Sequence, residues 1–495
     1  VSESTTDSGQ ATDEPDPRRR RALSVTLVAG FMTLLDVSIV SVALPSIERG
    51  LDTGPTGVQW VVSGYALTFG LALVPAGRIG DALGRRRMFL VALSAFVLCS
   101  AAVGAAQSTP WLVAARLAQG LAAGALAPQN SALIQQLFRG AERGRAFGFF
   151  GATLGISTAV GPVLGGLILA VAGEQTGWRW IFFVNVPLGV VALVLAARLL
   201  PRGRTGPAGH LDPLGAALLG AGVLALLLPL VEAESGGVTR PWWLFLIGAV
   251  LIAGFFAWER RVVSRGREPI VDPRLITGTA GYATGTALAT VYFAGFSGIW
   301  LVFALFFQDG LHYTPLQSGL AVTPFAVGSA ASAVLGGRLI GRFGRRLTVA
   351  GLSAVVVGPA ATAVVLWQVP AEYAGFAAVL PLLVGGIGGG LVVTPNVTLT
   401  LRAVPVRMAG SAGGALQTGQ RFGAAVGTAA LTGAYYGVLG ATGRDYPAAV
   451  GVALGGAAAW IALALVIGIV ELRRDRPGPP ADEDEHARHV AHGHP

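Results

Sequence analysis

Three ionisable residues stand inside apolar runs long enough to cross a bilayer: Asp36, Arg116 and Arg421. Placing a charge at the centre of a membrane helix costs on the order of 2.5–3.5 kcal/mol, so each needs a compensating role. Counting rise per residue puts Asp36 and Arg421 roughly 20 Å from one boundary and Arg116 roughly 9 Å from the opposite one. Across a hydrocarbon core about 30 Å thick, all three fall at similar depth. Desolvation favours a neutral carboxyl and a neighbouring guanidinium favours a carboxylate. One acid and two bases in one layer therefore suit a proton-sensitive coupling switch. The competing reading is a static pair that only fixes helix packing.

A second group of charges lies between two apolar runs, in Gly77-Arg78-Ile79-Gly80-Asp81-Ala82-Leu83-Gly84-Arg85-Arg86-Arg87. Gly77 and Gly84 permit a tight turn and close helix approach. Asp81 beside Arg85 and Arg86 could lock that face of the molecule, as a gate, or merely set topology. The segment returns 260 residues later as Gly337-Arg338-Leu339-Ile340-Gly341-Arg342-Phe343-Gly344-Arg345-Arg346, with Gly341 at the Asp81 position. An acid-dependent latch is therefore expected in the first half only. Small residues also recur through Gly148, Gly161, Pro162, Gly165 and Gly166. They allow close packing, and Pro162 removes a backbone hydrogen bond and favours a hinge. Ser38, Ser41, Gln129, Asn130, Gln308, Asn396 and Gln417 are the polar candidates for a substrate cavity.

These residues need a membrane scaffold, and the composition provides one. The 495 residues are 53% hydrophobic and only 12% charged, with 71 glycines, more apolar surface than a soluble domain requires. Fourteen runs of membrane length are read at about 22–46, 58–78, 88–107, 111–137, 146–172, 180–200, 212–232, 242–260, 280–307, 317–337, 347–368, 374–400, 408–436 and 448–472. Helices are the expected form, because each satisfies its own backbone in lipid. All 35 basic residues are arginine, and with the N-terminus inside, 29 fall on cytoplasmic segments against 4 outside. The positive-inside rule then puts both termini in the cytoplasm. Trp60, Trp111, Trp178, Trp180, Trp242, Trp243 and Trp367 near outer helix ends agree.

The net charge of +9 is thus topological, and no nucleic acid partner is expected. The repeat offset exceeds one six-helix bundle by two helices. The expected organisation is a disordered tail (1–21), a six-helix bundle (22–200), an inserted helix pair with linkers (201–275), a second six-helix bundle (276–472) and a cytoplasmic tail (473–495). Asp482 to Glu485 and the nearby histidines of that tail read as a solvated run, with no metal site expected. Cys99 is the single cysteine, and neither paired metal ligands nor a nucleophile triad stands out, so no enzyme is expected.

The chain resembles the major facilitator superfamily, specifically its fourteen-helix drug/proton antiporters, over residues 20–472. Gly77, Asp81, Gly84 and Arg85 match the superfamily's loop motif, and Leu35-Asp36-Val37 through Pro45 the first-helix motif, with Ser38 and Ser41 where Thr and Asn are commoner. Arg116-Leu117-Ala118-Gln119-Gly120 is similar to the Arg-centred motif, and Gly148, Gly161-Pro162 and Gly165-Gly166 to the antiporter motif. Trp178 through Pro187 looks like the entry to helix six. The resemblance implies an all-α membrane fold of two six-helix bundles plus two inserted helices, in the cytoplasmic membrane. It implies proton-coupled efflux of lipophilic antibiotics or drugs by a monomer surrounded by membrane lipid. The alternative in the same fold is a proton symporter or facilitator for uptake. No GxxxxGK[ST] sequence is present, so protons and not ATP are the expected energy source, and no cofactor is expected.

Overall fold

The computed structural model describes residues 17–53, 55–173, 175–201, 212–233, 242–267 and 269–474. Residues 1–16 and 475–495 of the expected tails, most of the linker near residues 202–211 and the loop at 234–241 lie outside the described residues, whereas 17–21 and 473–474, expected in the tails, are helical. The described chain is helical, with no strand.

Among the described residues fourteen long helical units follow one another. The first six are α1 (Pro17–Leu51), α2 (Pro55–Leu83), α3 (Arg85–Gly104), α4 (Thr109–Leu137), α5 (Gly140–Ala172) and α6 (Trp178–Phe183 continued by Asn185–Leu199). The next two are α7 (Pro213–Ala233) and α8 (Trp243–Ser264). The last six are α9 (Tyr282–Phe296, Gly298–Leu305 and a π turn Phe306–Gly310), α10 (Pro315–Phe343), α11 (Arg345–Gln368), α12 (Val379–Thr400), α13 (Ala409–Thr442) and α14 (Tyr446–Arg474). Among the described residues, eleven helices are long and apolar enough to cross a membrane, or twelve if the bent α5 is one span. Two units fall short of that measure. The apolar part of α7 is short, and α4 carries Arg116, Gln119, Gln129 and Asn130 along its length.

Glycine sets the two repeated turns. Gly84 between α2 and α3 has φ 102° and Gly344 between α10 and α11 has φ 51°, a region that side chains with a Cβ rarely adopt. Each turn lets the following helix restart at once, with an arginine as its first residue.

The two halves pack alike. In the first, α1 lies on α5, α2 on α4, and α3 on α4 and α6. In the second, α9 lies on α13, α10 on α12, and α11 on α12 and α14. The halves join along two matching seams, α2 with α13 and α5 with α10. Buried clusters around Phe89 and Phe96 in the first half, and Phe303 and Leu454 in the second, form separate cores. The inserted pair α7 and α8 leans on α2 and α13 through Leu67, Val74, Val223, Leu227 and Phe255.

Candidate functional site

A cavity of about 290 Å³ lies between the halves. The first half contributes Thr33, Phe69, Asn130, Ser131 and Phe150 to its wall, and the second Tyr292, Phe296, Trp300, Phe325, Gln417 and Arg421. One wall is a run of aromatic rings. Tyr292 stacks on Phe296 at 5.2 Å, and Trp300 meets Phe325 edge-on at 4.9 Å. Within this apolar surface the buried Asn130 Oδ1, Tyr292 Oη and Thr394 Oγ1 have no hydrogen-bond partner among the described residues. An apolar pocket with a few convergent polar atoms fits a small amphipathic molecule.

Beside the cavity, inside the first half, Asp36 and Arg116 form a fully buried ion pair at 2.7 Å. Each oxygen of Asp36 is held: Arg116 reaches Oδ2, while Gln119 Nε2 (3.0 Å) and Asn185 Nδ2 (3.1 Å) donate to Oδ1. Arg116 also donates to Gln119 Oε1 at 2.8 Å and to the Val61 carbonyl at 2.9 Å. A buried charge is tolerated when its hydrogen-bonding capacity is used in this way. The network reaches the cavity through α2, because Arg116 lies over the Tyr65 ring at 4.3 Å and Arg421 over the Phe69 ring at 4.3 Å. Tyr65 and Phe69 are one helical turn apart, with ring centroids at 6.1 Å.

Arg421 thus stands apart from the pair. It lines the cavity, and no hydrogen bond or ion pair from the described residues reaches it. The shared depth of Asp36, Arg116 and Arg421 reflects two separate sites and not one triad.

At the arginine-rich end the halves are pinned together. Asp81 accepts hydrogen bonds from Gly410 N (3.0 Å) and Ser411 N (2.9 Å), the unpaired amides opening α13, and pairs with Arg85 at 3.1 Å. A carboxylate is favoured at a helix N-terminus by both those amides and the dipole. Arg85 donates to the Ala132 carbonyl at 3.0 Å and also to the Val406 carbonyl across the seam. Arg86 turns back to the Ala197 carbonyl of its own half. A Cβ on Gly77 would collide with the Gly410 carbonyl, so this seam needs glycine.

The helix-five residues divide along that helix. Gly148 belongs to the other seam, where an added Cβ would lie 3.0 Å from the Ala333 carbonyl and 3.2 Å from Gly337. Glu142–Thr158 and Val163–Ala172 meet at 40°, with Pro162 in the break. The Pro162 side chain lies outside the described residues. Gly161, in the break, and Gly165, beyond it, pack on Ser38 and Ile39 of α1, within the same half. Gly166 has nothing within 4 Å of an added Cβ and is not a packing residue here.

Among the polar cavity candidates, the structure places Asn130 and Gln417 on the wall, with Gln417 reaching Ser131 Oγ at 3.5 Å across the halves. Ser38, Gln129, Asn396 and Gln308 lie elsewhere. Ser38 donates to the Ser157 carbonyl and joins α1 to α5, and Gln129 donates to the Ala76 carbonyl at 2.9 Å. Asn396 is 2% exposed, accepts from Arg345 at 2.5 Å and donates to the Gly285 carbonyl. In each case an amide or hydroxyl in lipid-depth packing is consumed by a nearby backbone group. Gln308 lies in the π turn ending α9, away from the cavity, and the Ser41 side chain lies outside the described residues. The aromatic wall went unread, because phenylalanines in an apolar run carry no mark of which side they face.

The Major Facilitator Superfamily model matches residues 26–258 and 285–492. Over 430 residues the chain is 35% identical to a probable actinorhodin transporter of Streptomyces coelicolor, covering 86% of this chain and 74% of the relative. Over 428 residues it is 37% identical to a puromycin resistance protein of Streptomyces alboniger, covering 84% and 82%. A cephamycin export protein of Amycolatopsis lactamdurans is 34% identical over 423 residues, 83% of this chain and 84% of the relative. Among solved structures, a human organic anion transporter superposes with a TM-score of 0.65 at 15% identity, covering 91% of this chain and all of that one.

Proposed function

This chain belongs to the Major Facilitator Superfamily, among its drug-efflux transporters, and from that premise we propose that it exports amphipathic antibiotics or drugs across the cytoplasmic membrane in exchange for protons. The observation that carries this reading is the cavity between two matching half-molecules, sealed at one end by the Asp81 seam. Breaking that seam while closing the opposite end presents the same cavity to the other side of the membrane. In our reading the arginine-rich end faces the cytoplasm, as the arginine distribution requires. Every glycine contact across the α5–α10 seam precedes the bend in α5, so the described conformation is closed to the cytoplasm.

Coupling follows from the buried pair. A proton taken by Asp36 cancels its charge and frees Arg116, whose guanidinium lies on the same α2 ring pair as Arg421 at the cavity. Export and proton entry are then tied through α2, without a shared binding site. Everted membrane vesicles test this directly. With the lumen acidified they accumulate an amphipathic aromatic carboxylate such as anthraquinone-2-carboxylate, which ion trapping would exclude from an acidic lumen, and a protonophore releases it. Accumulation that ignores the pH gradient, or that occurs only in right-side-out vesicles, overturns the reading.

A further inference from the structure

We propose that Arg421 is the anion-recognition point of the cavity, and that the preferred cargo is a flat aromatic molecule carrying one anionic oxygen group such as a carboxylate. This deepens the export reading and rests on it. The argument starts from a contrast between two guanidiniums at similar depth. Arg116 is matched by a carboxylate, an amide and a carbonyl, so its charge is internally satisfied. Among the described residues Arg421 has no hydrogen bond or ion pair; it lies over the face of Phe69, 4.3 Å from the guanidinium carbon, with Tyr65 of the same helix close enough to interact electrostatically, and it lines the cavity.

A cation–π contact stabilises a guanidinium by about 0.5–2 kcal/mol and occupies its face, leaving the in-plane N–H donors open. Those donors form a fixed fork that suits a carboxylate in two parallel hydrogen bonds. Among the described residues no acidic side chain lines the cavity, so its charge is positive and awaits a counter-ion from the ligand. Gln417 and Gln420, on the same helix, and the unpaired Tyr292 Oη add neutral polar partners. In the same cavity the rings of Phe296, Trp300 and Phe325 offer a surface for a flat apolar body. One guanidinium and a run of rings in the same cavity define the cargo's two ends.

The test is binding to the full-length protein in phosphatidylcholine nanodiscs, read by calorimetry, with anthraquinone-2-carboxylate and the uncharged anthraquinone-2-carboxamide. The parent protein is expected to prefer the carboxylate by about tenfold, the factor equivalent to 1.4 kcal/mol. Arg421→Gln should lose that preference by weakening the carboxylate alone, and Arg421→Lys should keep part of it. Retained affinity for the carboxamide shows that the variant still holds a folded cavity. A parent with no preference, or an Arg421→Gln variant that keeps it, overturns the assignment. Displacement of the probe when phosphatidylglycerol replaces the phosphatidylcholine overturns it in favour of a lipid headgroup. The measurement needs no pH gradient, so a preference without vesicle export would defeat the export reading and leave the anion site standing.

Discussion

The two Gly/Arg turns share a backbone but bind different partners. At the first, Asp81 and Arg85 reach out of their own half, to the amides opening α13 and to the Val406 carbonyl. At the second, Gly341 stands where Asp81 would be and an added Cβ there meets nothing within 4 Å. Arg345, the counterpart of Arg85, turns inward to Asn396 and to Glu471 at 2.6 Å, both in its own half. The glycine contacts are shared by both seams, with Gly77 on Gly410 in one and Gly337 on Gly144 and Gly148 in the other. One seam is therefore pinned by a buried carboxylate, and the other rests on shape, with only a long 3.5 Å hydrogen bond from Arg143 to the Arg402 carbonyl beside it. A charge-assisted hydrogen bond contributes about 1.5–3 kcal/mol, so the pinned seam has the larger hold on the closed state.

The asymmetry continues into the membrane. Counting from the turns, the position of Asp36 falls on Phe296, 260 residues later. The first half thus holds the buried ion pair where the second holds part of the aromatic wall. In the proposed mechanism, coupling and cargo contact are thus divided between the duplicated halves.

Substitutions at matched positions can break this comparison. The largest expected effect is at Asp36→Asn, which should reduce pH-driven accumulation to background while cargo binding persists. Phe296→Leu should keep accumulation and weaken cargo affinity by less than about tenfold, or 1.4 kcal/mol. Vesicles of Asp36→Asn that still concentrate cargo under an imposed pH difference would place the coupling proton elsewhere. Asp81→Asn comes next, with an expected drop in transport on the order of tenfold at matched membrane levels, the scale of a 1–3 kcal/mol coupling energy. Adding Gly341→Asp should not restore it, since no partner waits there; recovery would show that the seams are interchangeable.

Smaller effects test the shape-only part. Gly77→Ala and Gly337→Ala should each loosen the closed state by about 1–3 kcal/mol, as overpacking does. Spin-label distances across the arginine-rich end would read this as a wider separation in both variants. A wide gap in only one would mean that glycine packing is not equivalent in the two seams. The least effect on transport is expected at Glu471→Gln, which should lower Tm by weakening the inward pair with Arg345, yet leave the pH dependence per folded molecule unchanged. A shifted pH profile would make the second turn part of the coupling machinery.

Much of this was legible in the sequence. Apolar length, repeated Gly/Arg turns and arginine placement specify a helical membrane protein and its duplication, because lipid permits few backbone solutions. The depth of Asp36 and Arg116 follows from counting residues, since a helix advances by a fixed rise. Gln119 and Asn185 were visible only as parts of motifs, and their convergence on Asp36 depends on α4 and α6 meeting α1. Glu471 reads as a boundary charge two residues before Arg473, and only the approach of α11 to α14 gives it Arg345 as a partner.

What the sequence determined by itself is therefore one-dimensional: which segments lie in the membrane, at what depth each charge sits, and which turn lacks its acid. Tertiary structure decided direction. It sent Ser38, Gln129 and Asn396 into helix contacts, left Arg421 open to the cavity, and gathered the rings of Tyr292, Phe296, Trp300 and Phe325 on one wall. Spacing alone cannot assign those sides, because in lipid nearly every face of such a helix is apolar, and only the neighbouring helix distinguishes a packed face from an open one.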